Sequence, residues 1–245
     1  MKHGSSLILI TRIDEASLVD WPMRNTVGLV TIGQSPRPDL LEDLRTMLPT
    51  GIRFLESGAL DGYTTEQIRM LSPTNDRDVL VTRLRDGTEA VFGLSHIVSR
   101  FQVCVDKLNA GGADMIAFLC TATLPGVHSR VPIIRPRELV YGLLGSLTEL
   151  GRIGILAPNE RALKPLEEDF SSHEFDIVVS ALSPYGKGSL EKCVSPFIDE
   201  DVSLIVMFCM GYNLSLKKKV MELTGKPAVL PQSLLAKAIE ELSLG

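Results

Sequence analysis

Several chemistries are missing from this chain of 245 residues. It holds no Cys-x-x-Cys pair and no histidine cluster at ligand spacing, so the common structural metal sites are excluded. No apolar stretch reaches the ~18 residues of a membrane-spanning helix. Basic residues are not in excess: Lys and Arg number 25 against 30 Asp and Glu, for a net charge of −5. Only Lys217-Lys218-Lys219 is locally basic, which argues against nucleic acid as a partner. Neither a Walker loop nor a Gly-x-Gly-x-x-Gly turn is present, and no low-complexity linker divides the chain. The four cysteines, Cys104, Cys120, Cys193 and Cys209, lie far apart. A chain of this length buries enough surface to fold without disulfides. The expected setting is a reducing cytoplasm with free thiols.

What is present centres on two matching stretches. One is Asp114-Met-Ile-Ala-Phe-Leu-Cys120-Thr-Ala-Thr123, the other Ser203-Leu-Ile-Val-Met-Phe-Cys209-Met-Gly-Tyr212. Each is an apolar run of strand length, and each cysteine stands six positions after the polar residue that opens the run. Such runs suit buried parallel strands. Ligands of open α/β sheets bind just past the carboxyl ends of strands, so both thiols are expected at one cleft.

Around these runs strand and helix alternate regularly. Strands are expected at 27–32, 52–56, 131–135, 152–157, 175–180 and 228–230, with helices between them. The pattern predicts two similar α/β lobes of Rossmann type, with parallel sheets and a cleft between the lobes. The expected division is a first lobe at 23–140 joined by 226–245, and a second lobe at 141–225. A hairpin, 79–84 with 89–92, interrupts the first lobe and is expected to cover one side of the cleft. Met23 directly precedes the first confident strand, so residues 1–22 are expected to be an extension, with an apolar core too short for a signal peptide.

Polar turns at the strand ends supply the candidate ligand contacts. Gly33, Gln34, Ser35 and Arg37 form a strand–turn–helix junction, a ready anion site. Arg135 and Arg137 end a strand, and one of them is expected to hold an anion. Thr121, Thr123, Asn159, Gly211, Tyr212 and Gln232 complete the set. Cys104 and Cys193 fall within helices and read as small core residues.

Thr31-Ile-Gly-Gln-Ser-Pro-Arg37, the Gly58-Ala-Leu-Asp61 turn and the Cys-Met-Gly-Tyr212 stretch together resemble the AroM family. The likeness runs from about Met23 to the C-terminus. That family is similar to a branch of the aspartate/glutamate racemase superfamily, in which two facing α/β domains each supply one cysteine. The superfamily's cysteines open a Cys-Asn-Thr or Cys-Thr segment, which Cys120-Thr121-Ala122-Thr123 approaches. Cys209-Met210-Gly211 departs from it, which bears against amino-acid racemisation but not against the fold.

The resemblance implies a cofactor-independent, metal-free racemase or isomerase of a small carboxylate or other small anion, with Cys120 and Cys209 as acid and base. A helix N-terminus after each cysteine is expected to lower its thiol pKa. Three alternatives stay open: a one-cysteine isomerase or decarboxylase, a protein that binds a small carboxylate without catalysis, and two cysteines buried without function. A homodimer is compatible with all of them.

Overall fold

The computed structural model describes residues 25–186 and 188–243. The expected extension at 1–22 lies outside them. Apolar runs place the strands. β1 (Thr26–Thr31) is buried at every position and leads into α1 (Pro38–Met47), where Pro38 enters the first turn and costs no hydrogen bond. β2 (Arg53–Gly58) and α2 (Thr65–Arg69) come next. The hairpin β3 (Val79–Arg83) and β4 (Glu89–Gly93) forms where expected. Then come α3 (Val98–Ala110), β5 (Met115–Phe118), the two-residue β6 (Ile133–Ile134) and α4 (Pro136–Ser146). β7 (Ile153–Ala157), α5 (Leu163–Ser171), β8 (Ile177–Ala181) and α6 (Leu190–Asp199) continue the alternation. β9 (Leu204–Met207), α7 (Leu214–Thr224), β10 (Ala228–Val229) and α8 (Pro231–Leu242) complete it.

Two four-stranded parallel sheets result, ordered β2-β1-β5-β6 and β8-β7-β9-β10. The order is the same when the strands of each sheet are counted from its first. Matching backbone bonds tie the two central pairs. Asp114 N–H donates to Thr26 O and Ser203 N–H to Arg152 O, both at 2.8 Å. Each sheet is covered by apolar clusters on both faces. The architecture is the expected α/β one, with two similar lobes built on parallel sheets.

Some boundaries differ from expectation. β10 pairs with β9 in the second sheet, so residues 228–229 do not belong with the first. The return to the first sheet starts at α8, which packs on α1 and α4 and buries Leu235, Ala236 and Ile239 beside Val27 and Leu29. α4 runs through the expected boundary at 140/141, with Leu139 in the first sheet's core and Val140 and Leu144 in the second's. No helix succeeds Cys120. Residues 121–132 are an irregular loop before β6. Arg135 holds that loop through the carbonyls of Leu124 and Pro125, and stacks on Phe118. No helix among the described residues is long and apolar enough to cross a membrane.

Candidate active site

β5 and β9 each stop two residues short of a cysteine, at equivalent positions in the two sheets. The strand ends are fixed alike: Leu119 N–H donates to Val30 O at 2.8 Å and Phe208 N–H to Leu156 O at 2.9 Å. Beyond them the chain turns so that the N–H two residues on approaches the sulfur. Ala122 N lies 3.4 Å from Cys120 Sγ, and Gly211 N lies 3.4 Å from Cys209 Sγ. The Thr121 hydroxyl donates to Phe208 O at 3.0 Å and joins one turn to the other.

Both half-buried thiols line one cavity of about 530 Å³, within the usual ~300–1,000 Å³ of small-molecule sites. Its walls come from both sheets and from the hairpin: Val79, Val81, Thr82, Pro158, Leu166 and Phe208 are among them. The hairpin therefore covers one side of the cleft. The helical cysteines lie elsewhere. Cys104 is in the core beneath the first sheet, and Cys193 Sγ donates to Ala181 O at 3.0 Å.

The thiols are not activated in the expected way. Burial pushes Cys120 up to about 12, the neighbouring Cys209 adds to the rise, and the Ala122 N–H only partly offsets it. Burial likewise pushes Cys209 up to about 11, against the Gly211 N–H and the Arg37 charge, which favour the thiolate. A helix that could lower Cys120 is absent. The N-terminus of α7 starts five residues after Cys209, and its first N–H donates to Asp43 at 2.9 Å instead.

Of the sequence candidates, Arg37, Thr121, Thr123, Arg137, Asn159 and Gly211 reach the cavity wall. Arg37 is buried and paired with Asp39 by two bonds of 2.9 and 2.8 Å. It also donates to Thr82 Oγ1 and to the Tyr185 hydroxyl, both at 3.2 Å. Arg137 pairs with Asp169 through two bonds of 2.7 Å and lies over the Tyr141 ring. Burial would raise the Asp169 carboxyl, but hydrogen bonds from Arg137 and Tyr141 outweigh it and hold it below its usual range. The Asn159 side chain caps the short turn after β7 by accepting from Ala162 N–H.

Gly33, Gln34, Ser35, Tyr212 and Gln232 do not line the cavity. The anion site expected at Ser35 is filled by the chain itself. The Asp61 carboxylate accepts from Ser35 N–H at 2.8 Å, Ser35 O–H at 2.6 Å and Gly58 N–H at 2.8 Å. Gln34 is held by Tyr63 O and Arg85 N–H, and a side chain at Gly33 would collide with Thr82. Tyr212 points into the second core, where its hydroxyl lies 2.7 Å from both Ala157 O and Leu182 O. Gln232 is buried against Leu40 O. Arg100 and His96 bind backbone carbonyls of the first lobe and stay out of the cavity.

Sequence reasoning missed Tyr185. It lies past β8 in Ser183-Pro184-Tyr185-Gly186 and accepts from Arg37. A Cβ at Gly211 would come within 2.5 Å of its hydroxyl, so glycine is required there. Its position past a strand's carboxyl end was the available signal. Among the described residues no group of three or more His, Cys, Asp or Glu is placed to hold a metal ion.

A profile of the AroM protein family matches residues 27–243. The chain belongs to the AroM family. Solved structures of similar fold include arylmalonate decarboxylase, at 14% identity and TM-score 0.57, covering 90% of this chain and 93% of that one. Aspartate racemase from Picrophilus torridus aligns at 11% identity and TM-score 0.53, covering 89% and 93%. The maleate isomerase from Pseudomonas putida S16 aligns at 16% identity and TM-score 0.56, covering 87% and 90%. Thus this AroM protein shares the fold of the aspartate/glutamate racemase superfamily. A search of curated proteins found no match.

Proposed function

We propose that this AroM protein is a cofactor-independent racemase or isomerase of a carboxylate, using Cys120 and Cys209 as acid and base. The observation that carries this is the equivalence of the two thiols: matched strand ends, matched N–H···S contacts and one shared cavity. Inverting a carbon centre without a cofactor needs a proton removed from one face and another delivered to the opposite face. Cys209 is the better base, because Arg37 favours its thiolate and its pKa is the lower. Cys120 is then the thiol that returns a proton. The racemase, isomerase and decarboxylase of similar fold support the same class of chemistry.

Deuterium exchange tests this. Incubation in D₂O with carboxylates bearing an α-hydrogen is expected to place deuterium at the α-carbon, starting from either enantiomer. No exchange into any carboxylate that binds contradicts the proposal.

A second reading is a one-cysteine reaction, with a neutral thiol as proton donor. It is favoured by burial, which keeps both thiols protonated at neutral pH. The pH profile separates the two. A Cys209 base requires the rate to rise with pH up to about 11, since the thiolate is the active form. A lone thiol donor gives a flat rate that falls only as the thiol ionises, at about 11–12.

A further inference from the structure

The charges around the cavity are all spoken for. Arg37 pairs with Asp39, Arg137 with Asp169, Arg77 with Glu168, and Asp76 with Arg161. Among the described residues, these pairs include every Arg, Asp and Glu on the cavity wall, and no Lys or His lines it. Arg37 and Arg137 are each held by two parallel bonds to a carboxylate. Recruiting either to a ligand would strip a half-buried acid of its partner. Much of the remaining wall is apolar, with Leu40, Val79, Val81, Leu94 and Leu166 lining the same cavity as the thiols.

We infer that the substrate is a monocarboxylate with a bulky, uncharged, apolar body, such as an α-aryl or α-branched alkyl acid, and not an amino dicarboxylate. This rests on the proposed α-carbon chemistry only for where the carboxylate sits. The single negative charge is received by neutral donors: the Thr123 hydroxyl on the cavity wall, and the Ala122 and Gly211 N–H groups, which exchange their 3.4 Å contacts to sulfur for the ligand. Such donors at a strand end hold one carboxylate without a counter-charge. Beside Arg37 and Arg137 a second carboxylate or an ammonium group would be desolvated against charges that are already paired; the Arg77 and Asp76 pairs lie at the exposed rim. The apolar body fills the volume between the hairpin and α5, which a four- or five-carbon dicarboxylate leaves largely empty.

Calorimetric titration tests this, using the full chain with both Cys120→Ser and Cys209→Ser so that no turnover intrudes. The probes are 2-phenylpropanoate, 2-methylbutanoate, L-aspartate and L-glutamate. The expected result is that 2-phenylpropanoate binds at least tenfold more tightly than either amino dicarboxylate, with 2-methylbutanoate between. Val81→Asp, which places a charge on the hairpin wall, is expected to weaken 2-phenylpropanoate at least tenfold. The mirror measurement on the unsubstituted protein is α-deuterium exchange with the same four acids.

If 2-phenylpropanoate binds as expected but nothing exchanges, the acid–base reading fails and the inference stands. If glutamate or aspartate exchanges while the aryl acid neither binds nor exchanges, the inference fails and the acid–base reading stands. Equal or tighter binding of the dicarboxylates, or no binding of either apolar acid at millimolar concentration, overturns the inference. So does undiminished aryl-acid binding in folded Val81→Asp protein.

Discussion

The two cysteine turns share a backbone path but differ in the residues after the sulfur. Both leave a strand two residues before the cysteine and both bring an N–H within 3.4 Å of Sγ. After Cys120 come two threonines and a loop pinned by Arg135. After Cys209 come Met210, Gly211 and a helix whose first N–H is taken by Asp43. Burial raises both thiols; the Arg37 charge partly offsets the rise at Cys209, while the neighbouring thiol adds to it at Cys120. Matched geometry therefore need not mean matched chemistry: burial favours the protonated thiol in both frames, but Cys209 is raised less than Cys120.

The strongest way to break the comparison is to remove each sulfur. Cys120→Ser and Cys209→Ser are each expected to lower exchange by ~10²–10⁴-fold, the usual contribution of a positioned acid or base. Circular dichroism melts should move little, since serine is nearly isosteric. Loss in one variant only replaces the two-base reaction with a one-cysteine one.

The next prediction uses the position two residues on. Gly211→Ala puts a methyl 2.5 Å from the Tyr185 hydroxyl and 2.8 Å from its ring carbon Cζ. Tyr185 must move away from Arg37, and overpacking of this kind costs ~1–3 kcal/mol. The equivalent residue of the first turn, Ala122, already carries a methyl. Ala122→Gly is therefore expected to change stability by less than ~1 kcal/mol. Urea titration of both variants measures the contrast.

The smallest effect is on alkaline stability. Burial raises the folded pKa of both thiols above the ~8.5 of an unfolded cysteine. Above pH ~8.5 the folded chain therefore binds more protons than the unfolded one. The thiols' contribution is complete below that pH, and is lost as pH rises through about 11 for Cys209 and about 12 for Cys120. Replacing both by serine is expected to flatten the decline in urea midpoint above pH ~8.5.

How much of this was legible in the sequence depends on how local each determinant is. The strands that carry the thiols were legible because a short apolar run ending in cysteine is a local signal, and its repetition set the symmetry. The hairpin was legible from its Asp86-Gly87 turn. The anion turn was misread because its occupant, Asp61, lies 26 residues away and reaches Ser35 only in the folded chain. Tyr212 was misread because a tyrosine beside a cysteine gives no sign of its direction, and here two core carbonyls claim it. The helix expected after Cys120 failed for a visible reason: Pro125 and Gly126 interrupt a short segment that lacks helical apolar spacing. The contact of Tyr185 with Arg37 and the pairing of Arg137, Arg77 and Asp76 depend on contacts between elements distant in sequence, which periodicity cannot report.

The central claim is that one ligand lies between Cys120 and Cys209. Protection from alkylation tests it most directly. Protein is treated with iodoacetamide at pH ~9–10, where a raised thiol begins to supply thiolate, with and without 2-phenylpropanoate, and each cysteine is followed by peptide mass mapping. The predicted result is that the ligand slows modification of Cys120 and Cys209 together, with the same half-saturating concentration, and leaves Cys104 and Cys193 unchanged. Protection of only one of the two, or protection with different half-saturating concentrations, contradicts it.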